Sequence, residues 1–169
     1  MIRGCYPGSF NPMTVAHLAI ADAARRHCEL DRLDLVLSEV TLGKEGTDAP
    51  SARKRADALA GLVVQRPWLR VVITEERLLV DIADGYDWLV LGADKWTQVA
   101  DPRWYGESAE ARDDAVARLP RLAVAARPGH AVPAHALLLD LGADAEWYAH
   151  VSSTAARAGR HDWRAPEAG

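Results

Sequence analysis

Three apolar runs constrain the fold of this 169-residue chain more than anything else in it: Leu35-Val36-Leu37, Val71-Val72-Ile73 and Leu89-Val90-Leu91. Each is continuous, not alternating, and a longer helical pattern separates each from the next. A strand with one wet face alternates apolar and polar residues. A continuous run is a strand covered on both faces, as in a parallel sheet between two helix layers. Strand patterns fall at 2–6, 33–38, 69–74, 88–91, 121–126 and 136–139. Helical patterns fall at 15–27, 51–65, 93–100, 108–118 and 153–158, with a shorter one near 77–83. This succession predicts an α/β chain with a doubly wound parallel sheet.

The expected architecture is a Rossmann-like three-layer α/β/α domain over 1–158, followed by a loose polar tail over 159–169. Ligands of such sheets bind at the carboxyl ends of strands, near the switch in strand order. Two Gly- and Pro-containing stretches, 41–50 and 98–107, read as long loops at that edge, where specificity is often carried.

The balance of charge narrows the partners. An apolar content of 49%, a charged content of 26% and a net charge of −4 are those of a soluble globular protein. Nothing in them suggests the basic face that nucleic-acid binding requires, though a local basic pocket for a nucleotide stays open. No run approaches a membrane span. Met1-Ile2-Arg3-Gly4 has no apolar signal region, so a cytoplasmic location is expected. The two cysteines, Cys5 and Cys28, are expected as reduced buried thiols. Only Lys44, Lys54 and Lys95 are lysines, which makes each of them worth locating.

The first strand pattern runs into Tyr6-Pro7-Gly8-Ser9-Phe10-Asn11-Pro12-Met13-Thr14-Val15-Ala16-His17. A strand, a tight polar turn and a helix start form a ready anion site, because the free N–H groups and the helix macrodipole face the same point. Thr14 and His17 are three residues apart and share one helix face. A second polar helix start, Val151-Ser152-Ser153-Thr154-Ala155-Ala156-Arg157, offers hydroxyls, amides and an arginine one turn on. The strand end Leu89-Val90-Leu91-Gly92-Ala93-Asp94 offers close backbone approach and a carboxylate.

These segments together resemble the nucleotidyltransferase superfamily, whose members include nicotinate and nicotinamide mononucleotide adenylyltransferases, phosphopantetheine adenylyltransferase and small cytidylyltransferases. The first signature, G-x-F-[DN]-P followed by [HT]-x-G-H, is matched by Gly8, Phe10, Asn11, Pro12, Thr14 and His17, with Ala16 in place of Gly. The second, I-S-S-T-x-[IV]-R, is matched by Ser152, Ser153, Thr154 and Arg157, with Ala156 in place of a branched residue. Gly92-Ala93-Asp94 is similar to the G-A-D motif of the mononucleotide adenylyltransferases. Arg127-Pro128-Gly129 looks like their R-P-G strand end, and Ser51 to Arg55 like the S-x-x-x-R start of their second helix. Thr14 is closer to the phosphopantetheine enzyme, and Thr41-Leu42-Gly43-Lys44 lacks the usual P-P-H-K.

The resemblance implies transfer of AMP from ATP to the phosphate of nicotinate or nicotinamide mononucleotide, with release of pyrophosphate. It implies His17, Thr14 and Lys44 as catalytic residues. Gly8, Ser9, Phe10, His17, Gly92, Asp94, Ser152, Ser153, Thr154 and Arg157 would bind the nucleotide. Trp104 and Arg127 would bind the acceptor, with spacing favouring Trp104 over Trp96 for stacking. Mg²⁺ would travel on the nucleotide phosphates, with no resident metal site. Pantetheine-phosphate adenylyl transfer, small cytidylyl transfer and a catalytically weak nucleotide-binding protein are the other readings, and homo-oligomers are common among such enzymes.

Overall fold

The computed structural model describes residues 1–39, 50–166 and 168. Six parallel strands form one sheet: β1 (Arg3–Pro7), β2 (Arg32–Ser38), β3 (Leu69–Thr74), β4 (Trp88–Gly92), β5 (Arg121–Ala125) and β6 (Leu137–Leu138). Their order is β3-β2-β1-β4-β5-β6, so the chain reverses direction across the sheet between β1 and β4. That switch point is where a ligand crevice is expected.

The continuous apolar runs are covered on both faces, as the pattern requires. Leu33, Leu35 and Leu37 of β2 belong to a core cluster with Leu18 and Ile20 of α1 (Val15–His27), Ala52 of α2 (Ala52–Ala58) and Leu62 of α3 (Ala60–Gln65). Val36 belongs to the opposite cluster, with Ile82 of α4 (Leu79–Ile82), Ala93 of α5 (Ala93–Val99), Leu89, Leu91 and Val124. Asp34 faces that second layer and is fully buried. Arg32 meets it bidentately at 2.7 and 2.7 Å, and the Tyr86 hydroxyl donates to it at 2.8 Å. A charge buried without such partners would cost several kcal/mol, on the order of 3–5.

The sequence pattern errs in three places. The helical stretch 51–65 is two helices, divided at Leu59, whose backbone leaves the helix register at φ −92° and ψ −3°. A further helix, α7 (Ala145–His150), follows the turn at Gly142; it has no side-chain cap and buries no residue, so no periodicity marks it. The remaining helices are α6 (Ala109–Ala117) and α8 (Ser153–Arg157).

The third correction concerns the tail. Expected loose over 159–169, its described residues 159–166 form a strap instead. A 3₁₀ turn at His161–Trp163 puts the Trp163 ring in the core, Arg164 pairs antiparallel with Thr14, and the Ala165 N–H donates to the Met13 carbonyl at 2.9 Å. The polar composition of the segment concealed the single tryptophan that anchors it. Both cysteines are free and buried. Among the described residues no helix is long and apolar enough to cross a membrane.

Candidate active site

The turn after β1 is held from several sides. The Gly8 N–H donates to the Val36 carbonyl at 3.1 Å, tying the turn to β2. A Cβ at Gly8 would stand 2.8 Å from the Phe10 ring, so the glycine makes room for that ring. Phe10 adopts a left-handed φ of 43°, a conformation that costs energy in a residue with a side chain. Its buried ring meets Tyr6 and His17 edge-on at 5.3 and 5.2 Å.

Thr14 caps α1 in a reciprocal box. Its Oγ1 accepts from the His17 N–H at 3.4 Å, while its own N–H donates to His17 Nδ1 at 3.0 Å. Such a box satisfies two otherwise orphaned donors of the helix start. It also decides the tautomer. Because Nδ1 accepts the backbone N–H, the proton of the neutral ring resides on Nε2, which leaves Nε2–H as the donor. Burial pushes the His17 pKa down from 6.5 to about 4; the positive charge of Arg127 pushes the same way, and Asp94 opposes. His17 is thus a neutral Nε2–H donor at physiological pH.

The ends of β4 and β5 lie beside it. A Cβ on Gly92 would come within 2.5 Å of Asp94 Oδ1 and 3.5 Å of Arg127 Nε, so a side chain there would displace the carboxylate from its present position. Arg127 Nε stands 3.7 Å from Asp94. Its Nη1 donates to the carbonyls of Tyr148, Ala149 and Val151 at 3.2, 2.9 and 3.1 Å. Those carbonyls end α7 and lead into the second signature, so Arg127 is a clamp that positions that segment.

The second signature docks directly on the first turn. Ser152 caps α8 by accepting from the Ala155 N–H at 3.2 Å. Ser153 Oγ donates to the Pro12 carbonyl at 2.8 Å, and Arg157 donates to the Asn11 carbonyl and, at 3.3 Å, to Thr154 Oγ1. Ala16 and Ala156, the two small residues at which the signatures depart from their usual form, fall in one buried cluster with Val151 and Trp163. The Ala16 methyl therefore packs into the core.

A cavity of about 680 Å³, counting its mouth, opens on the β2 side of the turn. Gly8, Ser9, Ser38, Lys95, Trp104 and Tyr105 are among its lining residues. Trp104 sits on a 3₁₀ turn at Pro102–Tyr105, and its buried Nε1 has no hydrogen-bond partner among the described residues. Tyr105 pins this turn by donating to the Val99 carbonyl at 3.0 Å. Trp96 packs edge-on against His135.

Most of the residues singled out in the sequence converge here, with two differences. Arg127 is not among the lining residues of the Trp104 cavity; it stands beside Asp94 at the end of β5. Lys44 lies outside the described residues. Arg55, one turn into α2, has a larger part than its local pattern indicated. It is 7% exposed, and it donates to the carbonyls of Pro50, Ser9 and Ser38 at 3.1, 2.9 and 3.0 Å. Among the described residues no group of three or more His, Cys, Asp or Glu could hold a metal.

With this geometry in view, the chain belongs to the cytidylyltransferase-like family, whose model matches residues 5–159. That family falls within the nucleotidyltransferase superfamily. Among solved structures it is similar to a Plasmodium falciparum nicotinic acid mononucleotide adenylyltransferase complexed with APC, at a TM-score of 0.65 and 14% identity, over 94% of this chain and 83% of that one. At that identity the likeness is one of fold. No curated protein sequence matches the chain significantly.

Proposed function

We infer that the protein transfers the nucleoside monophosphate part of a triphosphate, ATP by preference, to the phosphate of a mononucleotide, with nicotinate or nicotinamide mononucleotide as acceptor. The observation that carries this is the docking of Ser153 and Arg157 on the Pro12 and Asn11 carbonyls, which joins both signatures into one site. The nucleotide lies across the first turn, and the acceptor enters the Trp104 cavity at Gly8 and Ser9. An acceptor phosphate oxygen forms a bond to the α-phosphorus, and the α–β bridging bond breaks. Pyrophosphate leaves with that electron pair.

His17 donates its Nε2–H to an α-phosphate oxygen and stabilises the charge that develops there. Thr14 holds the ring, and Asp94 faces the ribose. Because His17 is neutral, its contribution is a directed hydrogen bond, not a proton transfer. Holding both reactants in line can supply roughly 7–11 kcal/mol of the barrier, so no protein nucleophile is required. A magnesium ion carried in by the phosphates would neutralise charge on them.

The reading is tested by pyrophosphate release from ATP and CTP against nicotinate mononucleotide, nicotinamide mononucleotide and phosphopantetheine. Release with ATP and a pyridine mononucleotide is expected. Release with phosphopantetheine alone, or with CTP alone, would replace the acceptor or the donor, and ATP binding without release from any pair would leave a binding protein.

A further inference from the structure

The C-terminal strap lies outside both signatures, yet it reaches the ring on which the transfer depends. Three successive carbonyls of the first turn are each held by a donor from the last part of the chain. Arg157 donates to Asn11, Ser153 Oγ to Pro12 at 2.8 Å, and the Ala165 N–H to Met13 at 2.9 Å. The first two donors belong to the second signature. The third is a main-chain group of the strap, and its neighbour Arg164 pairs antiparallel with Thr14. What stands behind the third contact sets it apart. The Met13–Thr14 peptide is trans and planar, so its carbonyl and its N–H point in opposite directions. The carbonyl faces the strap, and the N–H donates to His17 Nδ1 at 3.0 Å. One rigid plane therefore joins Ala165 to His17, and a rotation that frees the carbonyl also swings the N–H off the ring. The Thr14 hydroxyl stands 3.0 Å from the same nitrogen and is carried by the same residue. The aromatic contacts do not duplicate this link. Tyr6 and Phe10 meet the His17 ring edge-on at 6.2 and 5.2 Å, which bounds where the ring sits without telling its two nitrogens apart.

We propose that Ala165 is a positioning residue for the transfer: its N–H fixes the Met13–Thr14 peptide, and through it holds His17 with Nδ1 occupied and Nε2–H free to donate. The effect on the rate rests on the nucleotidyl-transfer reading, whereas the effect on the ring rests on geometry alone. The two hydrogen bonds share one amide, so each polarises and strengthens the other. Met13 and Thr14 are 1% and 0% exposed, so water has no ready access to a carbonyl that loses its donor. Trp163, packed with Ala16, Val151 and Ala156, anchors the strap that carries the donor.

The test compares, in the full chain, wild type with Ala165→Pro, which removes the N–H, and Ala165→Gly, which keeps it. Arg164 has φ −70° and ψ 142°, the extended backbone favoured before a proline, so the substitution suits its neighbour. In nitrogen-labelled, nucleotide-free protein, NMR reads the coupling across the hydrogen bond from the Thr14 nitrogen to His17 Nδ1. Steady-state kinetics with ATP and a pyridine mononucleotide give kcat and both KM values. Wild type and Ala165→Gly are expected to show the coupling and to turn over within a few-fold of each other. Ala165→Pro should lose the coupling, and its kcat should fall at least about tenfold with both KM values nearly unchanged, as a misplaced catalytic group requires. Trp163→Ala, which releases the strap without altering residue 165, is the second variant should the proline chain fail to fold, with the same two changes expected. A wild-type coupling or a wild-type kcat in the folded variant overturns the proposal. So does loss of the coupling in Ala165→Gly, or a loss of rate confined to KM. If Ala165→Pro loses the coupling but wild-type protein releases no pyrophosphate with any acceptor, the hold on the ring stands and the transfer reading falls. If wild type transfers and Ala165→Pro keeps both the coupling and the rate, only the positioning role falls.

Discussion

In the nucleotide-free protein, the imidazole of His17 is expected to remain neutral down to about pH 4. The cause is structural. The ring is largely withdrawn from water, its Nδ1 is occupied by the Thr14 N–H, and Arg127 opposes a second positive charge nearby. In the unfolded chain the same group titrates near 6.5. The gap between 6.5 and about 4, at about 1.4 kcal/mol per pH unit, is worth about 3 kcal/mol. The sign follows from which state binds the proton. Between those pH values the unfolded chain is protonated at His17 and the folded chain is not. Stability is thus fully present above 6.5 and is lost as pH falls toward 4. Imidazole nitrogen chemical shifts followed through a pH series would locate the midpoint and name the protonated nitrogen. Arg127→Met should move the midpoint upward, since one of the forces holding it down is removed. A wild-type midpoint near 6.5, or a proton on Nδ1, would refute the neutral Nε2–H donor.

Three further substitutions probe the frame of the site. Gly92→Ala places a methyl 2.5 Å from Asp94 Oδ1, so the carboxylate must move; ATP affinity measured by calorimetry should fall at least about tenfold, the equivalent of one well-placed hydrogen bond. Arg127→Met leaves the carbonyls of Tyr148, Ala149 and Val151 without their donor and should lower stability by about 2–3 kcal/mol in urea melts, with unchanged stability contradicting the clamp. Trp163→Ala opens the cluster between α1 and α8 and should cost about 3 kcal/mol, together with faster proteolysis of the strap; resistance equal to wild type would mean the strap is held elsewhere.

How much of this was legible beforehand depends on the range over which each residue acts. Continuous apolar runs state directly that a strand is covered on both sides, so the parallel sheet could be read from Leu35 to Leu37 and its counterparts. The cap at Thr14 and the histidine one turn on are local, and spacing was enough to place them on one face. The clamp that Arg127 forms was not legible, because its acceptors, the carbonyls of Tyr148, Ala149 and Val151, lie more than twenty residues away around a helix with no periodic signal. The same holds for Arg55, whose acceptors at Ser9 and Ser38 come together only through the sheet. The strap was missed because one tryptophan in a polar segment carries no period. Ala16 stands where the first signature has Gly, and its neighbours Ala156 and Trp163 come from the far end of the sequence, so its packing could not be read locally.

The central claim is that His17, held by Thr14, stabilises the transferring phosphate. It is tested most directly by single-turnover formation of the dinucleotide from ATP labelled at the α-phosphate and nicotinate mononucleotide, with wild type and His17→Ala compared at saturating substrate. Loss of one preorganised donor predicts a rate lower by about 10²–10³-fold, with ATP affinity changed only a few-fold. A variant that transfers the label within a few-fold of the wild-type rate would contradict the claim.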